Sequence, residues 1–171
     1  MDLNFEDTFD FVSPAKLTEN LSTEDLVDSQ NQCISVQYNQ IDLGGTGYGF
    51  NQTFEGNEAN LYFERMREFS EQTLNDIREN ASYKLHFNRT DIRGNIKRIF
   101  DSINPNIAKA NPLIFHFALD PNNHNRADRN TGVRNPRVYF MVGRNGMIHV
   151  LFFDPYHEIN RKYSVKAVLC A

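Results

Sequence analysis

At 171 residues and 19.9 kDa, with 40% hydrophobic, 12% aromatic and 23% charged residues, the chain has the composition of one globular domain, able to bury roughly 70% of its unfolded surface without a disulfide or metal staple. Its two cysteines, Cys33 and Cys170, exclude a disulfide framework and a CxxC zinc knuckle, and nothing in the numbers calls for a cofactor. No apolar run nears the ~18 residues of a membrane span, and the acidic opening MDLNFEDTFDF lacks the basic and apolar regions of a signal peptide, so a cytoplasmic location with no membrane contact is expected.

The net charge of −4 conceals two halves of opposite sign. Residues 1–83 carry 16 Asp and Glu against four Lys and Arg (−12), whereas residues 84–171 carry six acids against 14 bases (+8). Asymmetry of this kind points to polyanion binding or to an acidic partner segment. Eight of the acids fall in the first 28 residues, and an arm of that sign can lie across a basic face and compete with phosphate.

In chain order, residues 1–31 read as an acidic, loosely ordered arm in which Ser22-Thr23-Glu24-Asp25-Leu26 can open one short helix, and residues 32–171 as a single α+β domain. The alternation CISVQY at 33–38 predicts a strand, and 42–49 a glycine-rich turn. Over 58–79, Tyr62, Phe63, Met66, Phe69, Leu74 and Ile77 recur at three and four residues with charges between them, which predicts a long amphipathic helix. A short strand is expected at 83–87. Thr90 and Asp91 are placed to cap a second helix carrying Ile92, Ile96, Ile99, Phe100 and Ile103, ended by Asn104-Pro105. The segments 113–119 (LIFHFAL), 137–143 (RVYFMVG) and 147–154 (MIHVLFFD) are short, aromatic and β-branched, and read as strands. Asn145-Gly146 between the last two favours a tight hairpin, hence antiparallel pairing. The expected architecture is α+β: a single antiparallel sheet of about five strands, with two main helices packed on one side and the N-terminal region over part of the other.

Four segments carry candidate chemistry. The stretch Gly44-Gly45-Thr46-Gly47-Tyr48-Gly49 resembles a phosphate loop but lacks the Lys-Ser/Thr ending and the immediate helix, which makes it a loop tip. Residues 121–137 (PNNHNRADRNTGVRNPR) join two strands and hold Arg126, Arg129, Arg134 and Arg137 beside His124; with Arg144 they are candidate nucleic-acid contacts, because guanidinium forks suit phosphate. Asp154-Pro155-Tyr156-His157 ends the last strand with an acid, a phenol and an imidazole, and so offers acid–base groups. His116, His149, Asp154 and His157 have ligating chemistry, yet no HExxH or close His pair is present and no metal is expected. The sequons at Asn20, Asn51, Asn80 and Asn88 reflect a composition with 21 Asn.

The order ISVQY, NLYFERMREFSEQTLNDI, Leu85-His86-Phe87 and RVYFMVGRNGMIHVLFFDPYHEI is similar to a group of small, mostly uncharacterised bacterial proteins, often borne on mobile elements, that close with an aromatic strand and Asp-Pro-x-His. A weaker likeness is to RelE-type and ParE-type toxins, and it implies that Arg137, Tyr139, Arg144 and His157 fall near RNA-handling positions. The chain departs from that pattern in its length, its acidic arm and the long loop before the arginine-starting strand.

Two functions are therefore expected as alternatives. One is a nucleic-acid-directed protein of a mobile-element or defence system, a RelE-like endoribonuclease of the toxin–antitoxin kind, acting on RNA or another polyanion with His157, Tyr139 and Tyr156 as the catalytic set. The other is a noncatalytic module whose basic face binds an acidic protein partner.

Overall fold

A computed structural model describes residues 31–38, 47–50, 54–80, 87–103, 109 and 111–160. Among these it has five strands, β1 (Ser35–Gln37), β2 (Asn88–Thr90), β3 (Ile114–Ala118), β4 (Arg137–Val142) and β5 (Met147–Asp154), and three helices, α1 (Glu58–Ser70), α2 (Leu74–Glu79) and α3 (Gly94–Ile103). The strands form one sheet in the order β1-β5-β4-β3-β2. The chain is α+β as expected, but the sheet is only mostly antiparallel: β1 lies parallel to β5, with Ser35 opposite Met147 and Gln37 opposite His149. No helix among the described residues is long and apolar enough to cross a membrane. Residues 1–30 of the expected N-terminal arm and most of the glycine-rich turn lie outside the described residues, as do 83–86 of the strand expected at 83–87.

The β4–β5 hairpin closes through Asn145 (φ +55) and Gly146 (φ +70), with the Met147 N–H donating to Arg144 O at 3.0 Å. Positive φ at both central residues is what a two-residue hairpin turn needs to match strand twist. A bulge between Tyr139 and Phe140 leaves Leu151 without a register partner, so Leu151 and Phe152 both turn to one face.

Each sheet face has its own core. On the first, Phe115, Phe117, Val138, Phe140, Val142, Ile148, Val150 and Phe153 pack against Tyr62, Met66 and Phe69 of α1 and Leu74 and Ile77 of α2. On the second, Ile114, Tyr139, Met141, Leu151 and Phe152 pack against Ile96, Ile99 and Phe100 of α3. The helices thus cover both faces rather than one. The apolar content of both faces of β3, β4 and β5 requires this, since each face must be removed from water.

The long helix expected over 58–79 is two helices. Thr73 Oγ1 accepts from the Asp76 N–H at 3.1 Å while the Asp76 carboxylate accepts from the Thr73 N–H at 2.9 Å, a capping box that starts α2 afresh. The break also frees Gln72 O to accept from the Ile34 N–H at 2.9 Å, which ties the chain before β1 to the helical layer. Thr90, expected as a helix cap, is the last residue of β2, and α3 begins at Gly94.

Candidate functional site

Alternation along the central strands sends Arg137, Tyr139, His116 and Asp154 to the second face. Tyr139 lies opposite His116 on one side and Phe152 on the other, and Arg137 opposite Ala118 and Asp154. All four side chains are buried, with Tyr139 and Asp154 at 0% exposure. Buried polar groups normally find partners. Here some do not: among the described residues the Tyr139 hydroxyl and Asp154 Oδ1 make no hydrogen bond.

Arg137 explains part of the pattern. Among the described residues its hydrogen bonds all run from Nη1, to Asn135 Oδ1 at 2.5 Å, Pro136 O at 3.2 Å and Asn135 O at 3.3 Å. The Nε/Nη2 edge, the one that grips carboxylates and phosphates in pairs, takes none of these acceptors. Asp154 is not within ion-pair distance of it among the described salt bridges, although the two charges influence each other. Burial lifts the Asp154 carboxyl to about 6, an effect only partly offset by backbone N–H groups of the following turn. One of these, Ile159 N–H, donates to Asp154 Oδ2 at 2.7 Å. Burial, and then the neighbouring Asp154, hold the Tyr139 phenol well above its ordinary value; the Asn160 backbone N–H offsets part of this from outside hydrogen-bond geometry.

His116 is fixed from two sides. Its Nδ1 meets Thr90 Oγ1 at 2.7 Å and the Asn160 side-chain amide at 3.2 Å, and that amide also donates to Thr90 Oγ1 at 3.3 Å. Because the amide nitrogen can only donate, Nδ1 accepts, which assigns the neutral ring with its proton on Nε2. Burial, followed by the charges of His157 and Arg137, lowers this imidazole to about 3. The ring stacks on Tyr139 at 5.1 Å between centroids, and His157 lies 6.2 Å away. His157 itself has φ +53 and is half-buried, held in the turn that Asp154 anchors. The glycine-rich segment ends beside this cluster, where Tyr48 O accepts from the Phe153 N–H at 2.9 Å.

The residues expected from sequence are thus divided. Arg137, Tyr139 and His157 come together on the second face, joined by His116 and Asp154. Tyr156 lies instead against two guanidinium groups, with Arg129 at 4.7 Å and Arg134 at 5.6 Å from its ring centroid. Arg129 pairs with Glu158, and Arg134 with Glu55 and Glu58. Arg126 is exposed on the loop before β4. Arg144 sits in the hairpin turn, seven positions along from Arg137 and therefore ~20 Å away at strand spacing. The five arginines do not share one face. Of the four groups with ligating chemistry, His116, Asp154 and His157 lie in or around the cluster and His149 is opposite Met141; no cluster of three or more His, Cys, Asp or Glu suited to a metal occurs among the described residues.

Sequence reasoning missed Thr90 and Asn160 as the clamps on His116. A polar residue in the middle of the apolar strand LIFHFAL was the available signal, since a buried imidazole needs partners. No family model matches this chain, and no curated protein or solved structure matches it significantly.

Proposed function

We propose that this chain is a nucleic-acid-directed protein that cleaves RNA at the Arg137–Tyr139–His116–Asp154–His157 cluster, in the manner of the RelE-like endoribonucleases its closing motif resembles. The observation that carries this reading is that, among the described residues, the Nε/Nη2 edge of Arg137 takes no acceptor and two buried polar atoms near it, Tyr139 OH and Asp154 Oδ1, have no partner. Arg137 and Tyr139 supply donors for a developing anion, and Asp154 joins them when its carboxyl is protonated.

In this reading the Arg137 edge grips the scissile phosphate. His157 takes the proton of the ribose 2′-hydroxyl as its oxygen forms a bond to phosphorus. The bond from phosphorus to the 5′-oxygen breaks, and the protonated Asp154 carboxyl gives that oxygen its proton. Tyr139 stays un-ionised and donates a hydrogen bond to the phosphoryl oxygen, a role suited to a phenol held above its ordinary pKa. The products are a 2′,3′-cyclic phosphate and a 5′-hydroxyl, so atoms and protons balance.

The test is incubation of the purified full chain with a labelled single-stranded RNA and analysis of product ends. Cleavage leaving a cyclic phosphate, reduced at least tenfold in Arg137→Lys and in His157→Ala, supports the reading. Intact RNA, or full activity in both variants, overturns it.

The noncatalytic alternative draws on a different observation. On the outer side of α1, Phe63 is 65% exposed and lines, with Asn60, Glu64 and Arg67, a hollow of about 300 Å³. An exposed aromatic beside an arginine is the composition of a protein-binding spot. Protein binding lost in Phe63→Ser, with RNA left intact, favours that function.

A further inference from the structure

Arg129 and Arg134 each give a full guanidinium edge to a carboxylate. Arg129 donates from Nε and Nη2 to Glu158 Oε1 and Oε2 at 3.1 and 2.9 Å. Arg134 donates from Nε and Nη2 to Glu58 Oε1 and Oε2 at 2.7 and 2.6 Å, and from Nη1 to Glu55 at 2.8 Å. A phosphate arriving at either fork has to displace a carboxylate already held in pairs. The flat faces remain. The two guanidinium groups cover the Tyr156 ring at 4.7 and 5.6 Å, and Arg134 also lies 6.0 Å from Phe153. Arg134 is closed off, its side chain 11% exposed, whereas the Arg129 side chain is 48% exposed with one plane on Tyr156.

We propose that the Arg129–Tyr156–Arg134 stack is a platform for one unpaired nucleobase seated on the open plane of Arg129, which makes single-stranded nucleic acid the substrate class. This rests on the reading of the chain as nucleic-acid-directed. Aromatic rings and guanidinium planes stack on any base, and the pairing with Glu158 reduces the pull of Arg129 on phosphate while leaving its plane intact. A base within a duplex is already stacked on both sides and offers no face.

Fluorescence anisotropy with the full chain separates the possibilities, using a labelled single strand, an abasic strand of equal length and a duplex. The single strand should bind tightest. Arg129→Lys, which keeps the charge and loses the plane, should weaken it by roughly 5- to 150-fold without altering the abasic strand. Tyr156→Leu, which removes the ring beneath, should act in the same direction and serves if Arg129→Lys misfolds by circular dichroism. Equal affinity for base-bearing and abasic strands, or for the duplex, overturns the platform and leaves the wider reading standing. Failure of all three probes to bind overturns both.

Discussion

Asp154→Asn preserves the side-chain shape and an acceptor for the Ile159 N–H while deleting the ionisation. Burial lifts the Asp154 carboxyl from 3.8 to about 6, so between those values the folded chain retains a proton that the unfolded chain has released. Stability contributed by this group is therefore greatest at low pH and falls as pH rises through that window, by about 3 kcal/mol in all. His116 works in the opposite sense. Its imidazole is lowered from 6.5 to about 3, so the unfolded chain takes up the proton first, and stability is gained as pH rises through that range, by roughly 5 kcal/mol. Where the windows overlap, between about pH 4 and pH 6, the two slopes oppose each other in the wild type. Only the histidine slope survives in the variant. Urea unfolding from about pH 4 to about pH 7.5 should show Asp154→Asn gaining on the wild type by about 3 kcal/mol and levelling off above about pH 6.5, every other titrating group cancelling in the difference. A difference that does not change with pH, or that favours the wild type increasingly as pH rises, refutes the claim that this carboxyl is buried without adequate partners.

Three further outcomes follow from packing and backbone geometry. Phe140 is 1% exposed and its ring meets those of Phe69, Phe87, Phe115 and Phe117, so Phe140→Ala should lower unfolding free energy by about 3–5 kcal/mol in denaturant titration. Gly146→Ala combines φ +70 with a Cβ 2.5 Å from Cys33 O; it should cost about 1–3 kcal/mol and speed amide exchange at Ser35, whose N–H donates to Gly146 O. Glu58→Gln removes one of the two carboxylates that hold the little-exposed Arg134, leaving Glu55, and a loss of about 1–2 kcal/mol by thermal or chemical unfolding is expected; no loss would make the Glu58 pairing ornamental.

What the sequence revealed depended on range. The hairpin was legible because Asn145-Gly146 carries its geometry locally, and β5 begins and ends at the residues its composition suggested. The parallel direction of β1 was not legible, because CISVQY says nothing of which distant edge it joins. The split between α1 and α2 was encoded in Thr73-x-x-Asp76 but masked by the continuous apolar period running through it. The cluster was half legible. Tyr139 and His157 stood out by residue type, but the role of Arg137 depended on its register opposite Asp154, and the clamp on His116 on Thr90 and Asn160, 26 and 44 positions away. The pairing within the arginine-rich loop was hidden for the same reason: its charges are visible in one dimension, whereas the carboxylates that hold Arg129 and Arg134 are Glu158, Glu55 and Glu58.

The place of β1 at the sheet edge bears on how the molecule assembles. Pairing Ser35 with Met147 joins points 112 positions apart, whereas β4 and β5 meet across a two-residue turn. Closing the longer loop carries an entropic cost about 3 kcal/mol greater. On that ground the strand meander is expected to form before β1 docks. Until it does, the outer side of β5 is a bare ladder of peptide groups open to a strand of any neighbouring chain.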